Sequence, residues 1–266
     1  MQREKVTHLR LLWLYFRLGV LSELEYRANF FVQLFQSAIG LGTALAGLAI
    51  VFAHTETLGG WRPEELLALL GVYFLVGGVI NLVIRPSMER FMEDVRRGTL
   101  DFTLTKPEDA QLLVSVQQIQ IWKLIDVALG IGTLAVALAR LGAVLGLWHA
   151  LAFALALLAG GVIVYSFWLI LATCSFWFVR VENILVIFQS MYEAGRWPVG
   201  IYPPWLRVAL TFVVPVAFAT TVPAEALAGR LTWQTLLGTV TLAIALLLGS
   251  RWFWRVGVRR YSGASA

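Results

Sequence analysis

Residues 66–98 read LLALLGVYFLVGGVINLVIRPSMERFMEDVRRG, and this stretch decides the fold class. Its first part, 66–84, has no charged side chain and is long enough to cross a hydrocarbon core of about 30 Å as one helix. Acidic and basic side chains are interspersed through the remainder. This change predicts a membrane-spanning helix that ends at the membrane surface, with a charged segment beyond it.

The composition of the whole chain agrees with this interpretation. Of its 266 residues, 59% are hydrophobic and only 14% are charged, and the mean hydropathy is +0.77. Soluble domains are about 45–50% apolar and about 25% charged, so a soluble fold of this size would lack the polar side chains to cover its surface. Lys and Arg lie beside the ends of apolar runs and not on one basic face, which argues against nucleic-acid binding. We therefore predict an all-α integral membrane protein, with a single domain over 1–266.

Six apolar runs are predicted to cross the membrane. They are residues 29–53, 66–84, 112–139, 150–179, the short run 183–192, and 231–254. Residues 208–222 are also apolar, but Pro215 interrupts them, and we expect a re-entrant segment within an external region, 196–230. Residues 1–28 combine an apolar stripe with several charges, each of which costs about 2.5–3.5 kcal/mol at the membrane centre. They are predicted to form a helix that lies in the membrane interface.

The positions of the basic residues favour this topology over one with seven spans. With six spans and both termini in the cytoplasm, the basic residues left outside are Arg62, Arg140, Arg196, Arg207 and Arg230, while Lys123 lies within a span. If 208–222 crossed fully, the C-terminal arginines would be external, namely Arg251, Arg255, Arg259 and Arg260. The positive-inside rule therefore favours six spans. We expect the protein in the plasma (inner) membrane of a prokaryotic cell.

The longest polar stretch, 85–111, is predicted to be a cytoplasmic loop between the second and third spans. Pro86 suits the first position of a helix, and Gly98 suits the C-terminal end of one. The residues between them would form a short amphipathic helix. The residues alone leave two interpretations open: the helix rests on the membrane as a solvated element, or its charged face binds a soluble partner.

The sequence lacks the motifs of an ATP-binding or metal-dependent enzyme. The lysines are Lys5, Lys106 and Lys123, and none follows a Gly-x-x-x-x-Gly loop of the kind that holds ATP phosphates. The three histidines lie far apart in the chain, so we expect no metal site. We accordingly predict no catalytic residue, no cofactor bound by this chain, and no enzyme activity of its own.

Several polar residues fall within the predicted spans. Lys123 and Asp126 are three positions apart on the third span and share a helix face. A mutual ion pair that fixes helix packing is favoured for them over a role in ion transport. Four residues of the first, second and fifth segments are candidates to line a translocation path: Gln33, Gln36, Asn81 and Gln189. The alternative role of each is hydrogen bonding between packed helices.

Several segments together carry a family resemblance. They are Glu93-x-Val95-x-x-Gly98-x-Leu100-Asp101-x-x-Leu104-x-Lys106-Pro107, Arg27-Ala28-Asn29-Phe30, Tyr202-Pro203, Pro215 to Pro223, and Gly257-x-x-x-Tyr261-Ser262-Gly263-Ala264-Ser265. In order and spacing the chain resembles, over nearly its whole length, the membrane subunits of type-2 ABC exporters, the ABC-2 family permeases. The resemblance implies an N-terminal elbow helix, six transmembrane helices, a cytoplasmic coupling helix between spans 2 and 3, and a re-entrant segment before span 6.

The resemblance also implies a function and partners. The residues that would couple the permease to its ATPase are Glu89, Arg90, Glu93, Asp94, Arg97, Gly98, Leu100 and Asp101. The expected partners are a second permease copy or paralogue, in a homo- or heterodimer, and two separate ABC ATPase subunits that hold ATP and Mg²⁺. Few charges within the spans predict an exported amphipathic or lipophilic cargo, drug, peptide or lipid-like, in contact with membrane lipid. The alternatives are an ion-coupled secondary transporter that uses Lys123 and Asp126, and an assembly protein without transport.

Overall fold

The computed structural model of the protein describes residues 27–142, 146–178 and 182–261. These residues are helical, apart from their connecting turns and one isolated bridge between Leu58 and Trp61. The prediction of an all-α integral membrane protein is confirmed. The interfacial elbow helix predicted for 1–28 lies outside the described residues, except that the first described helix begins at Arg27.

The helices form a bundle of long and short elements. The α-helices are α1 (Arg27–His54), α2 (Pro63–Val79), α3 (Arg85–Arg97), α4 (Asp101–Leu104), α5 (Ala110–Val116), α6 (Leu124–Leu141), α7 (Leu147–Thr173), α8 (Glu182–Tyr192), α9 (Pro204–Val208), α10 (Val216–Ala219), α11 (Thr221–Leu227) and α12 (Trp233–Val258). Among the described residues, five helical stretches are long and apolar enough to span a membrane: Phe30–His54, Pro63–Arg97, Ile121–Leu141, Leu147–Phe176 and Trp233–Val258.

The two ends of the bundle are distinguished by their contacts. At the α3 end, Phe91 of α3 contacts Trp254 of α12 and Phe176, just after α7, with ring centroids 5.0 and 5.6 Å apart. At the opposite end, the Gly59 end, a turn with positive φ at Gly59 and Gly60 joins α1 to α2. Glycine adopts these φ values without the steric cost that other residues meet.

Helix α8 connects the two ends although it is short. It follows α7, which finishes at the α3 end, and a 3₁₀ turn over Glu193–Arg196 extends it. The next residue, Trp197, packs with Trp61 and Leu66 at the Gly59 end. This path has fewer residues than the roughly 20 of an ordinary span, and α8 is not among the five stretches named above, so a fifth span over 183–192 stays a prediction.

The segment between Ile201 and Arg230 enters and leaves the bundle at the same end. Its helical parts, Pro204–Val213 and Val216–Leu227, meet at an angle of 70°. A Cβ added to Gly59 would lie 2.8 Å from Cγ2 of Ile201, and Arg230 donates a hydrogen bond to the carbonyl of Gly60 (2.6 Å). These contacts agree with the predicted re-entrant segment.

The third span begins later than the sequence indicated. Residues 112–139 were expected as one span, but α5 ends at Val116 and the spanning stretch starts at Ile121. Pro86 has no N–H, which leaves the carbonyl of Leu82 without its helical donor, and the N–H of Gln120 donates to that carbonyl at 2.8 Å. The helical path is therefore interrupted between Val116 and Ile121, where the backbone bonds to the turn after α2.

Pro86 lies in the first turn of α3, as its position in the sequence predicted, but α3 continues the helical path of α2 instead of starting a separate one. The helix continues from Pro63 to Arg97, and a π-helical turn over Ile80–Ile84 lies just before the proline. The hydroxyl of Ser87 donates to the carbonyl of Gln118 (2.9 Å) and accepts from its N–H (3.2 Å). The junction of α2 and α3 is therefore fixed to the break before α6.

Helices α2 and α6 approach each other at glycines. A Cβ on Gly130 of α6 would lie 2.4 Å from the backbone nitrogen of Leu75, and one on Gly71 of α2 would lie 2.8 Å from that of Leu134. Small residues at helix interfaces allow such close backbone packing in membranes. Both helices contribute to the wall of the site described next.

Candidate functional site

A cleft of about 170 Å³ opens between α1, α2, the start of α6 and α8. It lies in the half of the bundle toward the α3 end, because its lining on α2 and the π-helical turn after it runs from Tyr73 to Asn81. Three of the four predicted path residues line it, Gln36, Asn81 and Gln189, together with Lys123 and Asp126. The fourth, Gln33, is not part of the lining.

The amide groups of the cleft differ in their bonding. Asn81 donates from Nδ2 to the carbonyl of Gly77 (2.9 Å), one turn earlier in its own helix. The Oε1 of Gln189 is buried and accepts no hydrogen bond within the described part of the chain. Gln36 is exposed on α1. The cleft thus presents amide groups that the protein itself does not fully use.

Lys123 and Asp126 form the expected ion pair. Nζ of Lys123 lies 3.5 Å from Oδ2 of Asp126, and both side chains are largely buried. Lys123 ends the 3₁₀ turn that precedes α6, and Asp126 lies in the first turn of α6, where the helix dipole favours an acidic group. Their role in transport or in packing stays a prediction.

Two stacked tyrosines and an arginine form the wall opposite α1. The rings of Tyr73 and Tyr192 lie 5.1 Å apart and nearly parallel, at 19°, and the Tyr192 hydroxyl donates to the carbonyl of Tyr73 (3.0 Å). The guanidinium carbon of Arg196 lies 5.4 Å from the centre of the Tyr73 ring. A cation over an aromatic face is attracted by the ring quadrupole.

The position of Arg196 corrects the sequence analysis, which assigned it to the external loop. The structure places its side chain in the cleft, beside the middle of α2. The sequence contains a signal for this location of Arg196: Gln189, Tyr192 and Arg196 follow the i, i+3, i+7 spacing of one helix face. The glycine-rich and proline-rich sequence after Tyr192 concealed the continuation of the helix.

The candidate coupling helix α3 has one packed face and one charged face. Met88, Phe91 and Met92 are buried against α7 and α12. Gly98 ends the helix in the left-handed conformation with φ 70°, as its position in the sequence predicted. On the charged face, ion pairs join Arg85 to Glu89, Arg90 to Asp94, and both Arg96 and Arg97 to Glu93.

The proposed coupling residues divide by exposure. Glu89, Arg90 and Arg97 are exposed, and Glu93, Gly98 and Asp101 are partly exposed. Leu100 is fully buried, and Asp94 is buried and accepts a hydrogen bond from the hydroxyl of Thr99 (3.1 Å). Leu100 and Asp94 therefore stabilise the turn after α3 in this conformation. Sequence analysis missed Phe102, whose side chain is 74% exposed on α4.

A second polar cluster ties the loop after α4 to the bundle. Both terminal nitrogens of Arg251 on α12 donate to the Asp109 carboxylate, and Nη1 also donates to Oε1 of Gln111 (2.7 Å). Gln111 in turn donates to the hydroxyl of Tyr165 on α7 (3.2 Å). The hydrogen bonds from Arg251 hold the pKa of Asp109 below its ordinary range. We call these four residues the Arg251 clamp.

Comparison with known proteins gives one family and no closer relative. The profile described as "ABC-2 family transporter protein" matches residues 38–265. No curated protein and no solved structure matches the chain. The matched range covers the whole of α3 and the helices of the cleft, except for the part of α1 before residue 38, which carries Gln36 and Ser37. The chain belongs to the ABC-2 family of transporter proteins, and it is a multi-pass membrane subunit of an ABC transporter.

Proposed function

We propose that this subunit exports an amphipathic or lipophilic cargo, drug, peptide or lipid-like, with energy from ATP hydrolysed on a separate subunit. The observation that carries this proposal is the composition of the cleft. Amide groups and one ion pair lie beside the aromatic rings of Tyr73 and Phe74. Such a mixed lining suits a molecule with both polar and apolar parts.

The position of the cleft across the membrane supports uptake from the cytoplasm or the inner leaflet. Basic residues of α3 and of the C-terminal part of α12 gather at the α3 end, namely Arg85, Arg90, Arg96, Arg97, Arg251 and Arg255. The positive-inside rule assigns such an end to the cytoplasm, so the cleft lies in the cytoplasmic half. Both termini would then be cytoplasmic, in the plasma membrane of a prokaryotic cell.

Membership in the ABC-2 family implies an ABC ATPase partner. In our proposal the ATPase holds ATP and Mg²⁺ and contacts the charged face of α3. A second permease copy or paralogue lies against α1. Only 6% of the residues in the most apolar part of Phe30–His54 are buried within the protein, compared with 67% for Pro63–Arg97. Closure of the ATPases moves α3 and alternates access to the cleft. The ion-coupled alternative is not proposed, because the family membership supplies a different energy source.

Two glycines of α1 allow a matched test. A Cβ on Gly40 or on Gly42 would meet no atom within 4 Å, but only Gly40 lines the cleft. The Gly40→Leu variant should fill the cleft and abolish stimulation of ATPase activity by amphipathic compounds, whereas Gly42→Leu should retain it. The measurement is ATPase activity of the permease–ATPase complex in nanodiscs against a panel from inorganic ions to drugs and lipids. Stimulation by a small hydrophilic ion alone would overturn the proposal.

A further inference from the structure

We propose that the cleft binds the anionic head group of its cargo, a phosphate or carboxylate, and that Arg196 is the residue that recognises it. This inference rests on the proposed function, since it assigns the chemical class of the molecule that the same cleft accepts. It adds a charge preference that neither the family membership nor the amphipathic character of the lining supplies.

The first argument is the environment of Arg196. Its guanidinium lies over the ring of Tyr73 in the middle of α2, at a depth where an arginine is costly and is commonly functional. Its Nε is buried and donates no hydrogen bond within the described residues. Arginine presents several N–H donors in a planar fork that matches the oxygens of a carboxylate or phosphate. A donor therefore remains for an oxyanion in the cleft.

The second argument is the charge balance of the lining. The charged residues that line the cleft are Lys123, Asp126 and Arg196, and Lys123 is already paired with Asp126. One positive charge is left in excess. The nearest further acid along the chain is Glu193, which attracts Arg196 electrostatically but is exposed and does not line the cleft, so the excess of one positive charge holds within the lining itself. An anionic head group would balance the lining, while a cationic one would add a like charge to a partly desolvated site.

The third argument is preorganisation. Tyr73 supports the guanidinium and is itself stacked on Tyr192, which is 2% exposed and hydrogen-bonded to the Tyr73 carbonyl. A side chain that is held in place before binding loses less entropy when the ligand arrives. Beside the cleft, Phe35 and Ile39 of α1 expose apolar side chains. An alkyl chain could lie along them while its head reaches Arg196.

The test compares amphiphiles with the same alkyl chain and different heads. Dodecyl phosphate, dodecanoate, dodecyltrimethylammonium and dodecyl maltoside are added to the permease–ATPase complex in nanodiscs of zwitterionic lipid, and the concentration for half-maximal ATPase stimulation is measured. We expect the anionic compounds to act at concentrations about tenfold lower than the cationic one. Of dodecyl phosphate and dodecanoate, the one that stimulates at the lower concentration then identifies which oxyanion the cleft prefers.

Variants separate recognition from folding. Arg196→Gln should remove the anion preference while dodecyl maltoside still stimulates, and Arg196→Lys should restore part of it. The control is Arg207→Gln, because Arg207 is exposed, bonds to the carbonyl of Gly200, and lies outside the cleft. Equal potency of anionic and cationic compounds on the unmodified protein would overturn the inference but leave the proposed function intact. Absence of stimulation by every amphiphile would instead overturn the proposed function.

Discussion

The α-carbon of Gly130 faces the backbone nitrogen of Leu75 so closely that a methyl group on the glycine would lie 2.4 Å from that nitrogen. Backbone cannot give way as a flexible side chain can, so Gly130→Ala should separate α6 from α2 at a cost of about 1–3 kcal/mol. Gly132→Ala is the control, because a Cβ there meets nothing within 4 Å. Thermal unfolding in detergent should show a lower Tm for the first variant only. Equal Tm values would mean that this contact does not limit stability.

Loss of the Arg251 clamp is predicted to weaken the coupling between cargo binding and ATPase activity. Asp109→Asn removes the ion pair between the loop after α4 and α12, and we expect stimulation of ATPase activity by cargo to fall by no more than about fivefold, since the pair is partly exposed. Basal ATPase activity should persist. Glu108→Gln, a change at the neighbouring acid, is the control. A stimulation equal to that of the unmodified protein would exclude the clamp from coupling.

The same clamp predicts how coupling depends on pH. The pKa of Asp109 is lowered from 3.8 by the hydrogen bonds from Arg251. A carboxyl with a lowered folded pKa contributes stability above its unfolded pKa, and that contribution is lost as pH falls through the folded value. Between about pH 5 and pH 8 the ion pair of Asp109 and Arg251 therefore does not titrate. In that range, the ratio of stimulated activity between Asp109→Asn and the unmodified protein should be constant.

Phe102 predicts a contact with the ATPase. An aromatic side chain that is 74% exposed on a charged loop suits a partner's apolar pocket, so Phe102→Ala should reduce copurification of the ATPase while Tm stays unchanged. Phe212→Ala in the re-entrant segment is the matched control, with the same 74% exposure. Leu100→Ala, by contrast, should lower Tm because Leu100 is fully buried. Full copurification with Phe102→Ala would contradict the assignment.

The re-entrant segment predicts a labelling pattern. Cys174 is the single cysteine of the chain, so a Cys174→Ala background allows single cysteines at Thr57, Thr105, Gly200 and Ser265. A membrane-impermeant thiol reagent on intact cells should label positions 57 and 200 and spare 105 and 265. Permeabilised cells provide the control, in which all four should react. Labelling of position 265 in intact cells would show that 208–222 crosses the membrane.

The sequence allowed prediction of those features that depend on local composition. The long spans follow from extended apolar runs with few charges, and the end of α3 follows from Gly98. The break before α6 could not be predicted, because the apolar run continues through it and the backbone hydrogen bond at the break is made to Leu82, which is distant in the sequence. Arg251 and Asp109 are 142 positions apart, so no local pattern joins them. Gln36, Asn81 and Gln189 were predicted as polar positions, but their meeting in one cleft required the packing of three helices.

The π-helical turn over Ile80–Ile84 has a consequence for the phase of the helix that follows. A π turn accommodates an extra residue within an otherwise α-helical backbone, and each α-helical residue advances the helix by about 100°. Deleting one residue from this turn would restore regular α-helix and rotate α3 by that angle relative to α2. Phe91 would then leave its place beside Trp254, and the charged face would turn toward the bundle. The orientation of the face offered to the ATPase is thus encoded by the length of this turn as well as by its side chains.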